Sequence, residues 1–359
     1  QGGYPYGLYN KETGDVAKTA YNDESSYYRN LLNAGLNVEY QAQNFTLSAV
    51  TGYQHLKDRM FLDQDFTAKN TYTLEQKQRI NTISEEIVMK SKESHRWQWA
   101  TGIFGFYQWL NTTAPVTFKE DGMAMMDQML GNFIPALVEV PMGPGRNMNI
   151  MPALKVTSAR LPINGDFKTP LLNGALFHQS TFRDLFGIDG VSFTAGLRLD
   201  YEKMKMDYNS GTAMDYTIGI TGQMMMNGAP TGKPISMMPE TALTVTSRYQ
   251  SSISKDYLQL LPKFALQYDF PKNLGNVYAT VSKGYRSGGY NIQMFSDLLQ
   301  ASLKNDMMRL TKDEIMSQVP ENLKDMVNFI PDAGENPDAR AATVYKPEQT
   351  WNYEIGTHL

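Results

Sequence analysis

The sequence predicts an all-β fold, an antiparallel transmembrane β-barrel with long, partly helical outer loops. Three observations predict it. Segments that alternate apolar and polar residues come in pairs, and each pair is split by a very short turn. Successive pairs are separated by very long connections. No apolar run approaches the twenty or so residues of a membrane-crossing helix. A water-exposed sandwich has no reason to put every long connection at one end. An outer-membrane barrel does, with short periplasmic turns and long external loops.

The pairs are residues 34–42 with 45–59, split at Gln43–Asn44, and 80–91 with 96–111, split by Lys92–His95. Next come 173–184 with 191–208, split by Leu185–Gly190, and 257–270 with 276–287, split by Pro271–Gly275. A last strand is expected at 349–359. The connections 60–79, 112–172, 209–256 and 288–348 read as extracellular loops, the last three very long. The short turns read as one periplasmic rim.

Side chains alternate across a strand. In FTAGLRLDYE at 193–202, Phe193, Ala195, Leu197, Leu199 and Tyr201 therefore share one face. Arg198, Asp200 and Glu202 share the other, which is expected to face the lumen. KFALQYDF at 263–270 repeats the pattern. WNYEIGTHL at 351–359 sets Trp351, Tyr353, Ile355 and Leu359 against Asn352, Glu354 and His358, with Glu354 expected in the lumen. Lys283 and Glu85 fall on the apolar face as exceptions, Lys283 near the outer end, where it can snorkel. Residues 175–182 leave the choice of face open.

A half-buried strand in a water-soluble protein alternates in the same way. The stretch 97–109, WQWATGIFGFYQW, discriminates better. Trp97, Trp99, Tyr107 and Trp109 lie on one face with Ile103 between them. Twelve residues at ~3.3 Å make ~40 Å of strand. Tilted by ~45°, that spans ~28 Å, close to the ~25 Å apolar band with aromatic girdles at both rims. Trp351 and Tyr353 join the expected girdle.

Composition narrows the function classes. The chain has no cysteine, which removes disulfides, thiolate metal sites and cysteine nucleophiles. A net charge of −4 gives no nucleic-acid footprint. Mean hydropathy of −0.42 is compatible with a barrel, whose apolar residues are diluted by lumen and loop residues. His55, His95, His178 and His358 have no ligand spacing, so no metal or cofactor is expected. Arg198, Asp200 and Glu202 come without a nucleophile–base–orienter set, so no enzyme is expected.

Methionines gather at Met123, Met125, Met126 and Met129, at Met224–Met226, at Met237–Met238 and at Met307–Met308. Thioethers suit Cu(I), but with no His or Cys beside them packing is the expected role. Residues 295–330 approach helical spacing, with an N-cap offered at Thr311–Glu314 and a break at Pro320. A second short helix is expected within 121–140. GYRSGGYN at 284–291 has the wrong spacing for a phosphate loop and reads as the outer end of a strand. Its Arg286 shares lumen parity with Ser282 and Gly284.

Seven stretches in order resemble the β-barrel of TonB-dependent outer-membrane receptors. They are FTLSAVTGYQ at 45–54, SEEIVMKS at 84–91, WQWATGIFGFYQ at 97–108, FTAGLRLDYEK at 193–203, LLPKFALQYDF at 260–270, VYATVSKGYRSGGYN at 277–291 and YKPEQTWNYEIGTHL at 345–359. The resemblance implies import of a scarce solute, by default a ferric siderophore, without chemistry on it. It implies a TonB complex acting through a plug, a small siderophore-like ligand, and contact with outer-membrane lipid, lipopolysaccharide and neighbouring outer-membrane proteins. The family barrel has about 22 strands, against about nine read here, so an interior part of one barrel domain without its plug is expected. Arg286 and Tyr290, at the exit toward 288–348, are the expected ligand contacts: a charged donor fork and a flat hydroxyl-bearing ring. The rival account gives Arg286 a lumen salt bridge and packs Tyr290 under the loop. A passive or structural barrel whose loops hold partner proteins, or a glycan importer, are the alternative functions.

Overall fold

The structure, a computed structural model, describes residues 22–63, 69–92, 96–321, 324 and 330–358. His95 and Leu359, named above, lie outside the described residues, as does the chain before Asn22. The first elements are β1 (Ser26–Gln41), β2 (Phe45–Asp63), β3 (Tyr72–Ser91), β4 (Trp97–Thr113), β5 (Val116–Phe118), α1 (Glu120–Gly131), β6 (Val138–Gly143), β7 (Arg146–Val156), β8 (Leu161–Lys168) and β9 (Leu171–Arg183). Then follow β10 (Val191–Met226), β11 (Ala229–Pro230), β12 (Ile235–Asp269), β13 (Asn276–Arg286), β14 (Gly289–Tyr290), α2 (Met294–Gln318), α3 (Ala339–Thr343), β15 (Val344–Tyr345) and β16 (Glu348–His358). No described helix is long and apolar enough to cross a membrane, which says nothing of crossing by strands.

Nine strands form one antiparallel run in the order β1-β2-β3-β4-β9-β10-β12-β13-β16. They are the nine that alternation predicts. The pairs Phe45↔Ser91, Trp97↔Phe182 and Val191↔Tyr268 set the short turns side by side at one end. The turns at 184–190 and 271–275 use left-handed backbone. Gly190 has φ 81°, and a Cβ there would lie 2.6 Å from the Asp269 carbonyl oxygen, so only glycine fits.

One face of the run is a continuous apolar surface. Ile87, Ile103, Leu176, Leu199 and Leu260 are consecutive cross-strand partners, all exposed. That settles β9, whose Leu172, Leu176 and Phe182 lie here. Trp97 stacks on Phe182 at 6.4 Å, and Tyr107 meets Trp109 edge-on at 4.4 Å. Trp351 and Tyr353 are exposed, whereas Trp99 and Tyr107 are half-buried. Glu85, awkward on this face, accepts a 2.5 Å hydrogen bond from Thr51 Oγ1, its cross-strand partner. Asp200, one residue along from Leu199, is buried on the opposite face.

The connections differ most from the sequence reading. The first strand begins at Ser26 rather than residue 34. Residues 209–256 are not an irregular loop but the continuation of β10 and β12, 36 and 35 residues long. Their ladder runs without a break from Val191↔Tyr268 to Ile218↔Thr241. Residues 112–172 hold β5 to β8 and α1, which ends at Gly131, well short of residue 140. α2 is a single helix that passes through the expected N-cap, because Thr311 is buried within it with its hydroxyl 2.9 Å from Tyr216 Oη. It ends two residues before Pro320, as a helix must that meets a residue without N–H.

These pieces cover β10 and β12 beyond the nine-strand run. Leu161, Met214, Tyr216, Leu303 and Met307 form one core, with Met123 and Met126 from α1. Ile150, Ile218, Ile220, Met238 and Ile315 form another, and Phe167, Met206, Ile253, Phe295 and Leu298 a third. Most of the clustered methionines thus fill packing between a strand ribbon and helices, the role flexible thioethers suit. Met125, Met129 and Met226 remain exposed.

Candidate functional site

The covered face changes character along its length. Toward the short turns it is polar. Arg198 Nε donates to Asp200 Oδ1 at 2.8 Å, and its guanidinium lies 5.6 Å from the rings of both Phe104 and Phe177. Glu202, only 2% exposed, accepts a 2.5 Å hydrogen bond from Ser287 Oγ, and its Oε1 has no partner among the described residues. Asn173, opposite Glu202 on β9, donates to Tyr285 Oη at 3.3 Å. Glu354, at the edge strand, accepts from Tyr278 Oη at 2.8 Å.

Tyr285 sits where parity assigned Arg286. The β12–β13 ladder ends at Lys263↔Ser282, beside Pro262, which has no N–H to give. β13 continues beyond that point only with β16, to Arg286↔Glu348. Freed from β12, the ribbon presents Tyr285 and Gln349 to the covered face, and Gln349 Nε2 donates to Gln259 Oε1 at 2.7 Å. Arg286 is exposed and makes no ion pair among the described residues. The expected lumen salt bridge of Arg286 is therefore not formed there.

Above this cluster, at the end of the long connections, two cavities lie between the covered face and the α2 segment. The first, about 320 Å³, is lined by Tyr72, Gln76, Phe118, Phe167, Phe295 and Gln300 among others. The second, about 310 Å³, is lined by Gln78, Gln108, Thr112, Lys205, Tyr290 and Tyr345 among others. Ile292 lines both. Gln76 and Gln78 come from β3 and Gln108 from β4, all on one parity. α2 contributes Gln300 and roofs the first cavity with Phe295, which packs on Phe167 at 5.0 Å. Volumes near 300 Å³ stand at the lower end of small-molecule sites.

Tyr290 lines the second cavity, yet its hydroxyl is shared between the carbonyls of Met204 and Ile253, 3.2 Å from each. Burial pushes this phenol up to about 12. It presents a ring to the cavity and keeps its proton for the backbone. Of the two expected contacts, then, one lines the cavity and one stands away from it. The glutamines went unnoticed in the sequence because they come from strand ends and a helix up to some two hundred residues apart, with no local spacing to join them.

Comparison with known proteins fits this architecture. All of residues 1–359 match the family described as TonB dependent receptor-like, beta-barrel. Comparison with curated proteins found no match. Among solved structures, the chain aligns with the ferric yersiniabactin uptake receptor FyuA from Yersinia pestis at 12% identity. That alignment covers 94% of this chain and 52% of the receptor, with a TM-score of 0.20. The chain thus spans about half the length of that receptor. By the match along its whole length, this chain belongs to the TonB-dependent receptor β-barrel family.

Proposed function

We propose that the chain forms part of the barrel wall of a bacterial outer-membrane importer that moves a scarce solute inward when a TonB complex acts on a plug. The supporting observation is the two-faced sheet. Its apolar face suits hydrocarbon, and its covered face bears the two adjoining cavities at the end of the long connections as well as a polar one of about 280 Å³ near the short turns. In this reading those connections, including 112–172, 209–256 and 288–348, are extracellular, the short turns are periplasmic, and lipid and lipopolysaccharide meet the apolar face. Arg198, Asp200, Glu202 and Glu354 then line the lumen, and the tryptophans and tyrosines of β4 and β16 form girdles. A ferric siderophore is the cargo that the family resemblance implies, with a glycan as the alternative. No bond in the cargo is made or broken.

The test is accumulation of radiolabelled ferric siderophores and oligosaccharides by cells carrying the full-length receptor, with and without TonB. The proposal expects accumulation only with TonB. Equal accumulation without it, or none of either kind with it, contradicts the proposal and favours a passive or structural barrel.

A further inference from the structure

We infer that the paired cavities select a neutral, hydroxyl-rich solute rather than an anionic chelate. This inference rests on the importer reading and narrows its cargo. Five side-chain amides line the two spaces: Gln76, Gln78, Gln108, Gln293 and Gln300. A primary amide offers donors and an acceptor on one flat group, which matches a hydroxyl that both gives and takes a hydrogen bond. Gln78 Nε2 donates to Thr112 Oγ1 at 3.3 Å and Gln300 Nε2 to the Ser296 carbonyl at 3.2 Å. The amides of Gln76, Gln108 and Gln293 have no protein partner among the described residues.

Charge argues in the same direction. The charged residues of the lining are Lys205, an odd position of β10, and Asp297. Lys205 already pairs with Asp207 at 2.8 Å. An anion entering here would meet the Asp297 carboxylate and no uncommitted cation. Recognition of anionic chelates relies on Arg forks or Lys ammonium groups, and Arg286 is not in the lining. The remaining walls mix aliphatic side chains such as Leu74, Val116, Ile163 and Leu110 with aromatic rings. Tyr72 and Phe118 lie 5.6 Å apart beside Phe167 and Phe295, so they offer flat apolar area to the C–H face of a ring while the amides address its edge. Ile292 lines both cavities, so the two adjoin.

The experiment is calorimetric titration of the purified full-length receptor with maltotriose and N,N′,N″-triacetylchitotriose as neutral probes and ferric citrate as the anionic one. The expected result is binding of at least one neutral probe, weakened at least tenfold in Gln76→Ala/Gln108→Ala, with ferric citrate silent. Gln293→Ala, at an exposed position before α2, is a second variant whose fold is not at risk, and it should weaken the same probe. Unchanged melting of both variants separates lost contacts from lost structure. Binding of ferric citrate alone, binding of no neutral probe, or affinities untouched by both variants would each overturn the inference. Neutral binding that depends on the glutamines, without TonB-dependent accumulation of that probe, would instead contradict the importer reading and leave the inference intact.

Discussion

The two halves of β10 carry opposite patterns on the same strand. From Phe193 to Tyr201 the odd positions are apolar and Leu197, Leu199 and Tyr201 are exposed, while Arg198, Asp200 and Glu202 hold the even positions. From Met206 to Ile220 the even positions take over. Met206, Met214, Tyr216, Ile218 and Ile220 are all fully buried, and the odd ones include Asp207, Asn209 and Asp215. The ladder with β12 stays in register through the change, so the strand has not slipped. A one-residue slip would exchange the faces, and none occurs. What changes is the surroundings. In the proposed importer the odd face near the short turns meets lipid and the even face a polar interior. Beyond Lys203 the odd face meets water and the even face a dry core under α2. Each core side chain there contributes about 1.5–3 kcal/mol by leaving water. On that reading the inversion marks where the hydrocarbon ends.

The largest expected effect falls on the upper half. Phe295→Ala removes a ring 1% exposed that touches Phe167, Tyr208 and Tyr249. A cost of about 3–5 kcal/mol is expected. Limited proteolysis should then cut within α2 while the nine-strand run stays resistant. Loss of the whole barrel instead would show that the two halves fold as one unit.

A charge scan sharpens the contrast. Leu199→Arg puts a guanidinium into the apolar row and should destabilise by about 2–4 kcal/mol if that row lies at the bilayer midplane. Ala213→Arg, on the same parity but exposed in the upper half, should stay within about 0.5 kcal/mol. Equal costs in urea unfolding from vesicles would erase the distinction.

The smallest effect concerns Tyr290. Tyr290→Phe withdraws a donor from the Met204 and Ile253 carbonyls and should cost about 0.5–1.5 kcal/mol. The folded state holds the phenol at about 12, above its ordinary value of 10.0. Its contribution is therefore complete below the unfolded value and lost as pH rises through about 12. The difference in ultraviolet titration between wild type and variant should show one late phenol. A phenol titrating near its ordinary value would place Tyr290 in water.

Much of this was legible in the sequence. Strand pairs, short turns and the apolar face follow from period-two alternation, which only a half-buried strand needs. The upper half was hidden because the run of apolar odd positions stops after Tyr201. The alternation resumes at Met214, Tyr216, Ile218 and Ile220 on the other parity, which reads as loop when the lower half sets the phase. The helix over 295–330 was visible, but the N-cap offered at Thr311 is not one, because Thr311 lies inside the helix with its hydroxyl against Tyr216. Arg286 was misassigned because parity holds only while a ladder lasts, and this one ends beside Pro262. The glutamine lining had no sequence signature, since a cavity is made by distant segments meeting.

The central claim is that the odd face of β10 leaves lipid for water between Tyr201 and Asp207. The chain has no cysteine of its own, so single cysteines can be placed at 197, 199, 213 and 215 and spin-labelled in the receptor reconstituted in bilayers. The account predicts collision with dissolved oxygen at 197 and 199, and with a water-soluble nickel chelate at 213 and 215. Nickel-chelate access at 197 and 199 equal to that at 213 and 215 would contradict it.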